Sequence, residues 1–210
     1  MMKINYKLIN YALSLVPKYS KIYNIDESHS LRHSLDVFHN ARAIYESEVY
    51  LNPFLKQQQN EIFCSAIIHD LCDSKYTDKE SSLKSLEDDL NKFITYDEWL
   101  NIKNIISTMS YSNVKQNGFP HLHNYNLAYH IVREADLLAA YDVERCFVYK
   151  LNQETKYNYL LTFQDVEELF NKRVFKYIED DLYVTDYSKK QALFLHQNAK
   201  DRLAQIKQGL

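Results

Sequence analysis

Ser65-Ala66-Ile67-Ile68-His69-Asp70-Leu71-Cys72-Asp73-Ser74-Lys75-Tyr76 is the stretch on which the reading of this chain turns. An apolar run from Ile62 to Ile68, broken only by Ser65, ends abruptly in an adjacent His-Asp pair. Such a run reads as a buried helix whose last turn carries chemistry instead of packing. Neighbours on a helix lie about 100° apart around the axis, so a long imidazole and a short carboxylate can converge on one point. Asp73 follows one turn after His69 and shares its face if the helix continues that far. A neutral imidazole beside a carboxylate suits a borderline-to-hard divalent cation. By itself a His-Asp dipeptide is equally an ordinary polar helix end, so the reading depends on further ligands elsewhere.

Two further segments supply them. Upstream, His29 and His33 stand one turn apart at the start of a helix and share a face with Val37 and, nearly, Ala41. That apolar face turns inward and carries His33 with it. Downstream, Ala128 to Ala140 reads as a largely buried helix with Asp136 set between Ala135 and Leu137. A lone carboxylate is costly to bury and needs a cation or several donors. One His, a His-Asp pair and one Asp, on three apolar helices, form a constellation.

The ordered set His33, His69-Asp70, Asp136 resembles the metal-binding signature of the HD-domain phosphohydrolase superfamily. The resemblance runs from about residue 29 to 147. It is carried by His-x-x-x-His-x-x-x-Val at His29 to Val37, Asn40-Ala41, His-Asp-x-x-Asp-x-Lys-Tyr at His69 to Tyr76, the Ser-rich Ile106 to Ser112, and Ala135-Asp136. Together these look most like the small single-domain HD nucleotide pyrophosphohydrolases. The position three residues after the first ligand His, usually Arg in that group, is Asp36 here.

The resemblance implies an all-α, compact multi-helix HD-type bundle over residues 1–210, with a metal site at its centre and C-terminal helices (163–208) packed on it. It implies metal ligands His33, His69, Asp70 and Asp136 around one divalent transition metal ion. Manganese is the first expectation, with nickel, cobalt, iron(II) or magnesium as alternatives. The implied activity is hydrolysis of (deoxy)nucleoside triphosphates to the monophosphate and pyrophosphate, by attack of a metal-bound hydroxide. The alternatives are a nucleoside 5'-monophosphatase, a hydrolase of 3'-pyrophosphorylated guanine nucleotides, and a catalytically silent HD module that binds a nucleotide or a partner. Two imidazoles and two carboxylates leave positions open on a six-coordinate ion, where water and a phosphate oxygen can sit. No Ser, Cys or His nucleophile with a paired base is evident. Asp73 either orients that water or caps the loop. Lys75 is the candidate for neutralising the leaving phosphates. His29 is a candidate phosphate donor or else a helix-start residue, and Arg133 is a further substrate-binding candidate. A second metal would have to draw on His121, His123 and His130, and two loop histidines two apart are not a ligand spacing.

The rest of the chain limits the alternatives. At 210 residues it is long enough for one sizeable core. Lys and Arg number 25 against 28 Asp and Glu, a net charge of -3, which argues against binding nucleic acid through bulk charge. Two Gly and three Pro favour long helices over hairpins. Cys64, Cys72 and Cys146 form no metal spacing and read as reduced thiols. No apolar run approaches about 18 residues and no signal core precedes Tyr6, so the expectations are no membrane span and a cytoplasmic protein. A homodimer is left open.

Periodicity places helices over Ile4–Val16, ended or kinked by Pro17, then the helix carrying His33, N-capped from Asp26 to Ser30 and running to about Tyr50, Phe54 to Leu71, Glu80–Ile94, and Thr95 or Tyr96 to Met109. Others follow at Asn126–Tyr141, Glu144–Leu151, Asp165 to Phe175 or Ile178, and Ser188–Ile206. Ser110 to Asn124 reads as irregular, a candidate lid or pocket rim.

Overall fold

A computed structural model of the protein describes residues 5–26, 29–153 and 158–209. Every regular element among them is helical. The Ile4 end of the first expected helix lies outside them. The order is α1 (Tyr6–Tyr23), α2 (Leu31–Glu48), a 3-10 turn (Pro53–Gln57), α3 (Gln59–Ile68), α4 (Lys79–Leu90), α5 (Tyr96–Thr108) and α6 (Tyr111–Asn117). Then come α7 (Asn126–Ala139), α8 (Val143–Gln153), α9 (Tyr159–Leu169), a π turn (Phe170–Val174), α10 (Lys176–Glu179) and α11 (Asp186–Gln208).

The helix that ends in the His-Asp pair is the centre of the bundle. From Glu61 to Ile68 every residue of α3 is buried, as expected for a helix that is apolar nearly all round. α1, α2, α5 and α7 pack around it, and α2 also runs along α7. Asn40 of α2 donates from Nδ2 to the Ala135 carbonyl of α7 at 3.1 Å. That bond fixes the register of α2 against α7 one residue before Asp136.

Several helix boundaries differ from the sequence pattern. Pro17 does not end α1. The helix runs on to Tyr23 because Val16 and Tyr19, on either side of it, are buried, and their packing outweighs the missing amide. The helix expected from Phe54 opens as a 3-10 turn and stops at Ile68, so His69 and Asp70 sit just past its end. Ser110 to Asn124 is only partly irregular: Ser110 caps α6 by accepting from Asn113 N. α9 begins at Tyr159, capped by Asn158, six residues before the expected start at Asp165. No helix among the described residues is long and apolar enough to cross a membrane.

Candidate metal centre

The ends of three elements bring the four expected ligands together. His33 lies on the first turn of α2, His69 and Asp70 just after α3, and Asp136 in the last turn of α7. His33 Nε2 is 3.2 Å from His69 Nε2, 3.4 Å from Asp70 Oδ2 and 3.3 Å from Asp136 Oδ1. His69 Nε2 is 3.3 Å from Asp70 Oδ1 and 3.6 Å from Asp136 Oδ1. Bonds of about 2.1 Å to a shared cation put neighbouring ligand atoms about 3.0–3.5 Å apart, so the spacing fits an ion held at the common point. The His33, His69 and Asp136 group could hold a metal ion, with Asp70 facing the same point.

The atoms behind the ligands support the same reading. His69 Nδ1 donates to the Ala66 carbonyl at 2.9 Å. In the neutral ring this leaves the Nε2 lone pair directed at the centre, the arrangement a metal-ligating imidazole needs. Asp70 Oδ2 is buried with no hydrogen-bond partner, a cost that a cation would remove. Without a cation, protons must do that work. Burial works against the His69 imidazolium, yet the carboxylates of Asp70 and Asp136 outweigh it and raise its pKa well above the ordinary value. For Asp70 and Asp136 burial opposes ionisation, and the two imidazoles reverse it, holding both carboxyls below the usual carboxylate range.

A cavity of about 270 Å³ opens over this cluster. Asp73, Lys75 and His29 all line it. Asp73 does so without being on the helix of His69, because α3 has already ended. Its Oδ1 accepts from Lys75 N at 2.9 Å, a local bond of the kind that draws a chain out of a helix. Lys75 is exposed, with its Nζ 5.2 Å from the centre of the Tyr149 ring. His29 packs edge-on against His33, Tyr76 and Tyr149, and Tyr76 hydroxyl donates to Asp26 beside it.

Arg133 does not join them. The structure overturns its expected place in substrate binding, since it points away from the cavity into the protein. Only 1% of its side chain is exposed. It donates to the Leu182 carbonyl, to His130 Nδ1 and to Glu134, and lies against the Phe119 ring. Asp136 needs the cavity-facing side of α7, and Arg133, three residues earlier, faces Leu182 in the connection that leads into α11. His121 and His123 pack against each other outside the cavity lining. His130 is half-buried beside Arg133. None of the three belongs to a ligand group among the described residues.

The sequence reading missed the opposite wall. Arg145, Cys146, Tyr149 and Lys150 of α8, with Arg173 and Tyr177 from the C-terminal segment, line that side. The α8 residues follow i, i+1, i+4, i+5 spacing, a single helix face, and that stripe was the available signal. Cys146 offers no nucleophile, because burial pushes its thiol up to about 11.

No protein-family model matches this chain, and no curated protein matches it. Its fold is similar to a crystal structure of a Lactobacillus plantarum protein solved as a Northeast Structural Genomics target. The two are 20% identical over 99% of this chain and 98% of that one, with a TM-score of 0.73. At that identity the likeness extends to the fold alone.

Proposed function

We propose that the protein is a divalent-metal-dependent phosphohydrolase acting on nucleotides, releasing a monophosphate and pyrophosphate from nucleoside triphosphates. The observation that carries this reading is the convergence of two imidazoles, each within 3.6 Å of an oxygen of Asp70 and of Asp136, at the floor of a cavity with cationic walls. The donor set favours a transition metal such as manganese over calcium, for which imidazoles are poor ligands. A bound ion would lower the pKa of a water and draw charge from a phosphoryl oxygen.

The chain's own residues then divide the remaining work. Asp70 and Asp136 supply negative charge to hold the cation, and the Ala66 carbonyl keeps the His69 ring oriented. With the Cys146 thiol neutral, water is the attacking group. Its oxygen bonds to the α-phosphorus as the bond to the bridging oxygen of the β-phosphate breaks. Lys75 stands at the cavity wall where it can meet negative charge building on that oxygen. Asp73 acts through Lys75, by fixing the loop that carries it.

The test is incubation of manganese-loaded protein with a panel of nucleoside tri-, di- and monophosphates, with products separated by chromatography. The expected products from a triphosphate are the monophosphate and intact pyrophosphate. Orthophosphate as the first product would replace this reading with a phosphomonoesterase. No turnover of any nucleotide would leave a binding module. Lys75→Ala should lower kcat/KM for the triphosphate by about 10- to 100-fold while metal content is retained.

A further inference from the structure

The wall of the cavity farthest along the chain is built around a helix irregularity. Phe175 N donates to the Phe170 carbonyl at 2.8 Å, five residues back, so the segment Phe170–Val174 is a π turn. Turns of this kind cost hydrogen-bond quality and recur at functional sites. Phe170, Val174 and Phe175 are all buried, while Asn171, Lys172 and Arg173 between them are exposed. Asn171 and Lys172 do not line the cavity; Arg173 does.

Arg173 is also held in place. Its Nε donates to the Tyr177 hydroxyl at 3.2 Å, and its guanidinium carbon lies 5.1 Å from the centre of the Tyr111 ring. Both contacts engage one edge and one face of the group. Among the described residues no carboxylate forms an ion pair with Arg173. Lys150 lines the same cavity, with only a 3.8 Å pair to half-exposed Asp165. Lys75, by contrast, is a lysine on a loop rather than a guanidinium on a helical turn. A planar guanidinium fixed at two points forgoes less entropy on binding phosphate than a free ammonium, and it can offer paired N–H groups.

We propose that Arg173, with Lys150 on the same cavity lining, is the fixed anion-binding group of this cavity and selects ligands that carry two linked phosphates over ligands with one. The proposal takes its ligand class from the phosphohydrolase reading and adds the residues that grip the pyrophosphate portion.

Non-hydrolysable imidodiphosphate and orthophosphate serve as probes that need no knowledge of the base. Each is titrated calorimetrically into manganese-loaded protein, with free metal matched on both sides. Wild type should bind imidodiphosphate at least about tenfold more tightly than orthophosphate. Arg173→Gln should weaken imidodiphosphate by about 10- to 100-fold, the effect of losing a charge-assisted pair, with metal content unchanged. Arg173→Lys should recover part of that loss. Wild-type affinity in Arg173→Gln, or no preference in wild type, overturns the proposal. Thermal melts accompany each variant. Should both Arg173 variants fail to fold, Lys150→Gln decides, and unchanged imidodiphosphate affinity there overturns it as well. Hydrolysis is followed in parallel. Turnover by wild type with unaltered binding in Arg173→Gln sinks this inference and leaves the hydrolase standing. Absence of turnover with binding lost in Arg173→Gln does the reverse.

Discussion

Asp136 lies between Ala135 and Leu137, both buried, and keeps 29% of its own side chain open to the cavity. Its carboxylate faces two imidazoles and no backbone donor in the cluster, so its charge is balanced by those rings or by a cation. Asp136→Ala and Asp70→Ala should each abolish tight metal retention, because each removes a bond and a charge together. Elemental analysis after gel filtration measures this, and full occupancy in both variants would refute the ligand assignment. His130 behaves differently, as a half-buried histidine whose nearest carboxylate, Glu134 at 3.9 Å, already accepts from Arg133, Val184 N, Thr185 N and Thr185 Oγ1. Burial, with Arg133 alongside, lowers its pKa to about 4, against about 6.5 unfolded. The folded form therefore keeps His130 neutral while the unfolded chain takes up a proton first. Stability should be intact above about pH 6.5 and fall as the pH drops to about 4, by up to roughly 3 kcal/mol from this group. His130→Gln keeps an acceptor for Arg133 and should flatten that part of the curve in urea unfolding. Equal slopes in variant and wild type would count against it.

At the scale of elements, the link between α7 and α11 holds the site's last ligand in place. Glu134 is fully buried and accepts from Val184 N at 2.7 Å, Thr185 N at 3.2 Å and Thr185 Oγ1 at 2.7 Å, with Arg133 at 3.4 Å. Thr185 in turn caps α11 through Ser188 N. The start of the longest helix is thus tied to α7 two residues before Asp136. Glu134→Ala would strand these donors and the Arg133 charge together, at a cost of about 3–5 kcal/mol. Chemical denaturation measures the loss, and a change below about 1 kcal/mol would mean the network relaxes without it. The sequence showed α11 as an amphipathic helix, but Glu134 reads there only as a charge in an apolar run. Its donors come from residues about 50 positions away.

Over the whole molecule, the site is a junction. α2, the end of α3 and α7 each contribute to it, so a cation bound there bridges three parts of the core. Binding to the folded state alone adds about 2.7 kcal/mol of stability at a ligand concentration 100 times Kd. For a chain of this size each kcal/mol is worth about 2–4 °C in Tm. Manganese at that excess should therefore raise Tm by about 5–10 °C over protein in chelator, as followed by circular dichroism. His33→Ala should lose the shift, and a shift of the same size in that variant would place the cation elsewhere.

The sequence by itself determined the all-helical class, the burial of the segment before the His-Asp pair and the residues that meet at the centre. Those features are written in local periodicity and in the cost of burying a carboxylate, both of which act over a few residues. His33, His69, Asp70 and Asp136 were legible because each breaks an apolar face. Only the tertiary structure decided that Arg133 turns away from the site toward Leu182. Direction around a helix depends on which neighbour it packs against, and α11 arrives from the far end of the chain. The same holds for the cationic wall. Arg145 and Lys150 look like solvated charges until α8 is laid over the site, and Arg173 reaches the cavity through a π turn that no α-helical period anticipates. Pro17 shows the limit in reverse: a strong local signal for a helix end gives way to the packing of Val16 and Tyr19 in the core.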